Sequence, residues 1–241
     1  MNSLRGVVSR QIPWARVLVE GVVIVVSILM AFGIDAWWTE TQERAEEQVL
    51  LAGLIEDLRQ DSMDYAQVTA QHHTRVLAAS YLLAEVGDPR ASQEEAREAE
   101  ASGMTSGRAL QNLSIATQIE TATVAYDQIT AAGMSRVVSD PSLRIGIARY
   151  YALVRDRSDI NVVTSRASQT FADDLRGLGY AISDGDAIPV EVALRSPATR
   201  ATLLNTRMSS GSASRSGAQI LEEAVALMRR IEVSLQPGEE R

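Results

Sequence analysis

Residues 21–34 read GVVIVVSILMAFGI, 14 consecutive positions without a charge. No other stretch constrains this chain as much, because such a helix cannot be left in water. The flanks lengthen it. Val17–Val19 precede Glu20, and Ala36–Trp38 follow Asp35. The 22 residues from Val17 to Trp38 would reach ~33 Å as an α-helix, enough for the hydrocarbon core of a bilayer. All three tryptophans fall at its edges, Trp14 on one side and Trp37 and Trp38 on the other. Indole rings favour the headgroup zone, so these are expected membrane-interface anchors. A cleaved signal peptide, with Ala31-Phe32-Gly33 as processing site, is the rival reading; the aromatic flanks favour a retained anchor.

Charge sets the expected orientation. Arg5, Arg10 and Arg16 precede the apolar run with no acid before Glu20, whereas Asp35, Glu40, Glu43, Glu46 and Glu47 crowd the other side. The positive-inside rule puts residues 1–16 in the cytoplasm and the bulk of the chain across the membrane, in a bacterium the periplasm of the inner (cytoplasmic) membrane. Two acids in or at a span are functional suspects. At 100° per residue Glu20, Ile24, Ser27, Ala31, Ile34 and Asp35 share one stripe, and the small Ser27 and Ala31 would let another helix approach. Glu20, Ile24, Ser27, Ala31 and Asp35 are therefore the candidate helix–helix interface. Against this stands the plainer reading, in which Glu20 snorkels and pairs with Arg16 while Asp35 sits in the interface.

The remainder predicts helices almost throughout. All 23 basic residues are arginine and there is no cysteine, which excludes disulfides, thiol catalysis and cysteine-held metals. Aromatics are few, so a Leu-, Ile-, Val- and Ala-based core favours packed helices. The expected fold class is all-α: a transmembrane helix over 17–38 continuing into an antiparallel helical bundle over 39–236, with helices near 39–86, 106–132, 141–176 and 197–235 and a tail at 237–241. A break near Asp61-Ser62 is one option in the first of these. Ser92 to Glu95 has the capping-box pattern, but residues 92–101 are too polar for core and read as a short exposed helix or a mobile loop. In the second helix Leu110, Leu113, Ile115, Ile119, Tyr126 and Ile129 form the expected buried face, ended by Gly133. Asp140-Pro141 and Ser196-Pro197 read as N-cap and first helical residue. Residues 177–189 carry the densest loop signal. SSGSASRSG at 209–217 contains poor helix formers and predicts an interruption of the last helix.

Three segments, VEGVVIVVSILMAFGIDAWW, RAEEQVLLAGLIEDLRQD and ATVAYDQITAAGMSRVVSDPSLRIGIARYYALV, resemble a widespread bacterial family of N-terminally anchored, single-span proteins known as a domain of unknown function. The likeness covers the anchor, the first turns of the helix after it and residues 121–154, and rests in the last block on Tyr126, Gly133, Asp140, Leu143, Arg144, Tyr150 and Tyr151. The chain departs from the family pattern at Ser27 and Ala132, where Gly and Ser are common. The resemblance implies fold and topology and carries no activity.

Motifs for chemistry are absent. His72 and His73 are adjacent and point ~100° apart on a helix, unsuited to chelating one metal. Asp57, Asp61 and Asp64 align at i, i+4 and i+7, which reads as a solvated face rather than an acid–base pair. Ser183-Asp184-Gly185-Asp186 lacks the remainder of a calcium loop and reads as a turn. Tyr126, Tyr150 and Tyr151 read as core aromatics rather than ligand-lining ones. The soluble part, with 20 Arg against 29 acids, repels nucleic acid. No catalytic, cofactor-binding or metal residues are expected. The expected partners are the lipid bilayer and integral membrane proteins, the chain serving as a non-catalytic accessory or structural subunit of a larger complex. A periplasmic helical ligand-binding or sensor protein is the alternative.

Overall fold

The computed structural model describes residues 14–117 and 119–236, with side chains from residue 18. It is all-helical, with no strand among the described residues. Contacts divide it into two units, Met1–Gln48 and Val49–Arg241.

In the first unit the chain is the start of α1 (Trp14–Glu85). This helix is long and apolar enough to cross a membrane: its most apolar 18-residue window has a mean hydropathy of 2.2 and no buried residue. Leu18, Ile24, Leu29 and Phe32 all stand exposed. Ser27 Oγ donates to the Val23 carbonyl at 2.8 Å, and Thr41 Oγ1 to that of Trp37 at 2.8 Å, so these hydroxyls need no outside partner.

In the second unit α1, α6 (Pro141–Gly177) and α8 (Pro197–Leu235) share two hydrophobic clusters. Their buried positions alternate at three and four residues, the spacing that keeps one seam of a helix facing its neighbours. In α8 the seam runs Thr199, Leu203, Thr206, Ser210, Ala213, Gly217, Ile220, Ala224, Leu227, Ile231. In α1 it runs Leu51, Leu54, Leu58, Asp61, Tyr65, then His72, Arg75, Ala79, Leu82, with half-buried Val68 between. α6 buries Leu143, Ile147, Tyr150 and Val154, then Thr164, Ser168, Phe171 and Leu175. α8 runs opposite to α6: Leu227 touches the Gly146 position, and Leu203 shares a cluster with Leu175.

Four expectations are corrected. α8 is unbroken over 209–217, because Ser210, Ala213 and Gly217 are seam positions whose small side chains admit α1; a Cβ on Gly217 would stand 2.2 Å from Thr69 Oγ1. α1 has no break at Asp61, since that carboxylate is engaged elsewhere in the fold and Ser62 Oγ bonds back to the Leu58 carbonyl at 2.7 Å. The expected helix over 106–132 is instead α3 (Ser106–Ser114) and α4 (Val124–Ala132), with 115–117 and 119–123 non-helical and Ile115 exposed rather than buried. Of the short exposed helix or loop expected over 92–101 the helix is found, α2 (Gln93–Ala101), capped by Ser92 accepting from the Glu95 N–H, but it is not simply exposed. It packs more firmly than its polarity implied: Ala96 and Ala99 are buried, and Glu95 accepts from Arg207 Nε at 2.6 Å.

The punctuation is as expected. Gly133 (φ +91) ends α4 before the single turn α5 (Met134–Val137). Asp140 accepts from the Ser142 N–H at 2.7 Å with Pro141 opening α6. Residues 177–189 include a 3-10 turn, Ile182–Ala187, before the short α7 (Val190–Ala193). Within that turn Asp186 Oδ1 accepts from the Gly107 N–H at 2.7 Å, so its carboxylate serves the start of α3.

Candidate functional site

Two regions combine polar side chains with an apolar setting. The first is the stripe on α1. Glu20, Ile24, Ser27, Ala31 and Asp35 all lie on the exposed helix surface, as do Trp37 and Trp38. Trp14 begins α1, but its side chain lies outside the described residues, as do residues 1–13 and 237–241.

The second is a column of polar groups along the inner seam of α1, aimed at the non-helical segment after α3. That segment leaves backbone groups which a helix would have paired internally, and each needs another partner. α1 supplies them. Asp57 Oδ2 accepts from the Ala125 N–H at 2.7 Å. Asp61 Oδ1 accepts from the Ala122 N–H at 2.8 Å, and Tyr150 Oη donates to Asp61 Oδ2 at 2.6 Å. About four turns on, the Arg75 guanidinium donates to the Asn112 carbonyl at 3.2 Å, to the Ile115 carbonyl and to Thr117 Oγ1. Ser165 Oγ on α6 donates to the Thr117 carbonyl at 2.9 Å, closing the segment from the other side.

Burial sets the electrostatics. Asp61 is 1 % exposed, and removal from water raises its pKa above 3.8, against the opposing pull of Tyr150 and Ala122. Burial also raises the pKa of Tyr150, and its hydrogen bond to Asp61 adds to this. Arg75 is 2 % exposed, and burial lowers its pKa to about 10, so it is still a cation at neutral pH. Desolvation first, and the nearby Arg75 charge second, hold His72 down at about 4. The histidines are separated by the helix: His72 is buried beside Arg75, while His73 Nε2 meets Glu98 at 3.1 Å on the surface.

Asp61 was expected on a solvated face and is instead a core residue; Asp57 is half-buried and bonded. The missed signal was the three–four spacing of α1, which continues through Asp61, His72 and Arg75 where apolar residues give out. The tyrosines pack as core aromatics. Tyr126 stacks on Tyr151 with centroids 3.9 Å apart, and Tyr150 meets Tyr151 edge-on at 5.0 Å. Tyr151 Oη donates to the Ala122 carbonyl at 3.2 Å. Arg144, which the resemblance marks, donates to the Val138 carbonyl at 2.8 Å and so braces the turn before α6.

Chemically the column fastens rather than reacts. Both oxygens of Asp61 are engaged, and a carboxylate holding structural donors is poorly placed to relay protons. Among the described residues no group of three or more His, Asp or Glu could hold a metal ion.

The buried neutral His72 makes stability pH-dependent. Its folded pKa of about 4 lies below the ordinary 6.5. Its contribution is then complete above pH 6.5 and is lost as pH falls toward 4, because the unfolded chain takes the proton first. Urea midpoints of the full chain in detergent should fall across that window, and His72→Gln should flatten the fall. An identical slope in the variant would show that His72 does not titrate in this way.

Comparison with protein-family models, with curated proteins and with solved structures finds no match to this chain.

Proposed function

We propose that this chain is a membrane-anchored, non-catalytic interaction module, an accessory or structural subunit of a larger respiratory, photosynthetic or transport assembly. In this reading residues 1–16 are cytoplasmic, residues 17–38 span the inner membrane of a bacterium, and 39–236 form an antiparallel helical bundle in the periplasm. The observation that carries the reading is the surface of the first unit. Leu18, Val22, Ile28, Met30 and Ile34 are exposed together on one helix. Apolar surface of that extent marks a membrane or partner contact. On the same helix Glu20, Ile24, Ser27, Ala31 and Asp35 form the narrow stripe through which a partner helix would dock. Arg5, Arg10 and Arg16 before the span support the orientation. The engaged polar groups of the column support a structural rather than a catalytic role.

Extraction in mild detergent, native gel separation and mass spectrometry of what migrates with the chain test the proposal. Stoichiometric partners are expected, and replacing both Ser27 and Ala31 with leucine should remove them. Migration as a lone monomer or dimer overturns the subunit reading. Partners retained by the double variant would move the contact away from the stripe.

A further inference from the structure

α8 carries a second seam beside its buried one. Gly211, Ser214, Ala218, Leu221 and Val225 follow one another at three and four residues, and Ala66, Ala70 and His73 do the same on α1. Between them lies an open groove of about 680 Å³, floored by small and aliphatic side chains. A second hollow of about 440 Å³ continues it past His73 and Ser214 toward Gly211 and Met208. From Gly211 to Arg229 the floor is ~27 Å long, the length of a helix of about 18 residues. Alternating small residues on two adjacent helices present the hole into which a third helix sets its knobs, and alanines let it approach closely.

The charges choose among occupants. Glu222 and Arg229 both line the larger hollow, seven residues apart on one face of α8, and neither has a hydrogen bond or ion pair among the described residues; Arg215, seven residues before Glu222, lines the second hollow, where Arg207 is paired with Glu95. Opposite signs two turns apart disfavour an anionic amphiphile, whose head would meet Glu222 as well as Arg229. They suit a helix with a complementary pair at the same spacing. We propose that this groove seats an apolar-faced helix of a partner protein, with a cationic residue opposite Glu222 and an acidic one opposite Arg229. The inference rests on the interaction-module reading and gives it a second contact, independent of the membrane stripe.

The test is photo-crosslinking of the full chain in its own membrane, with a benzophenone amino acid at Ala70 or Ala218 and, as control, at exposed Arg155 on α6. Adducts are expected at the two groove positions and not at the control. Sequencing of the crosslinked peptide should map it to a helix bearing an acid and a base seven residues apart. The combined reversal Glu222→Arg with Arg229→Glu should reduce the adduct about tenfold; both sites are exposed, and an unchanged circular dichroism spectrum verifies the fold. No adduct, an adduct to lipid, or an adduct to a second copy of this chain overturns the proposal. If stoichiometric partners persist on the native gel while the groove adduct fails, the module reading stands and the groove is excluded.

Discussion

Replacing Arg75 with methionine should lower the unfolding free energy of the second unit by about 4 kcal/mol. The side chain is 2 % exposed and has no carboxylate partner among the described residues. Its charge is met by neutral acceptors: the carbonyls of Asn112 and Ile115, the hydroxyl of Thr117 and, at 3.4 Å, the His72 Nδ1 atom. Methionine keeps most of the volume and none of the donors. The carbonyls, one in the last turn of α3 and one just past its end, are then left without those partners, and each such loss costs about 1–3 kcal/mol. Urea denaturation of the full chain in detergent, followed by circular dichroism, measures this as a lower midpoint with unchanged slope. Arg75→Lys should recover only part of the loss, because one ammonium cannot reach three divergent oxygens as a planar fork does. A midpoint shift under about 0.5 kcal/mol, the ordinary range for surface substitutions, would show that Arg75 does not fasten the segment.

Asp61→Ala should cost about 3 kcal/mol, because it strips the Ala122 N–H and the Tyr150 hydroxyl of their acceptor at once. A double-mutant cycle with Tyr150→Phe isolates the pair. Losses that simply add would mean the 2.6 Å contact contributes nothing. The carboxyl also leaves a pH signature opposite in sign to that of His72. Its folded pKa is raised above 3.8, so the folded chain holds the proton more tightly and the contribution of this group falls as pH rises through the window above 3.8. Relative to Asp61→Asn, the wild-type chain should therefore gain stability as pH falls.

These two residues mark where sequence reasoning lost the structure. Leu50, Leu51, Leu54, Ile55 and Leu58 recur with the helical period after the anchor, and Gly87-Asp88-Pro89 is a helix stop in the sequence itself. The seam between them was not legible, because hydropathy scores Asp61, His72 and Arg75 as surface. Spacing alone held the information, and a charge in a seam position is believable only once a partner for it is known. The same blindness hid α8. Serine and glycine at 209–217 read as helix-breaking, yet they are what the close approach of Thr69 requires. Residues 106–132 failed in the opposite sense. Ile115 and Ile119 completed a helical pattern on paper, but Arg75 and Asp61 pair the Ile115 carbonyl and the Ala122 N–H in a non-helical course, and Asp57 takes the Ala125 N–H in the first turn of α4.

By itself the sequence determined the all-helical class, the apolar helix long enough to cross a membrane, and the helix boundaries at Gly133, Asp140-Pro141 and Ser196-Pro197. Each of these follows from local chemistry: lack of charge over a length, glycine's access to positive φ, and proline's fixed φ with its missing donor. Only the tertiary structure decided which carboxylate is core, which serine is a contact, and where helix gives way to a non-helical segment. Those outcomes depend on partners 40 to 150 residues away in the chain, such as Thr117 for Arg75 and Thr69 for Ser214. A buried polar group is stable only when a specific acceptor or donor reaches it, and no local pattern encodes whether one will.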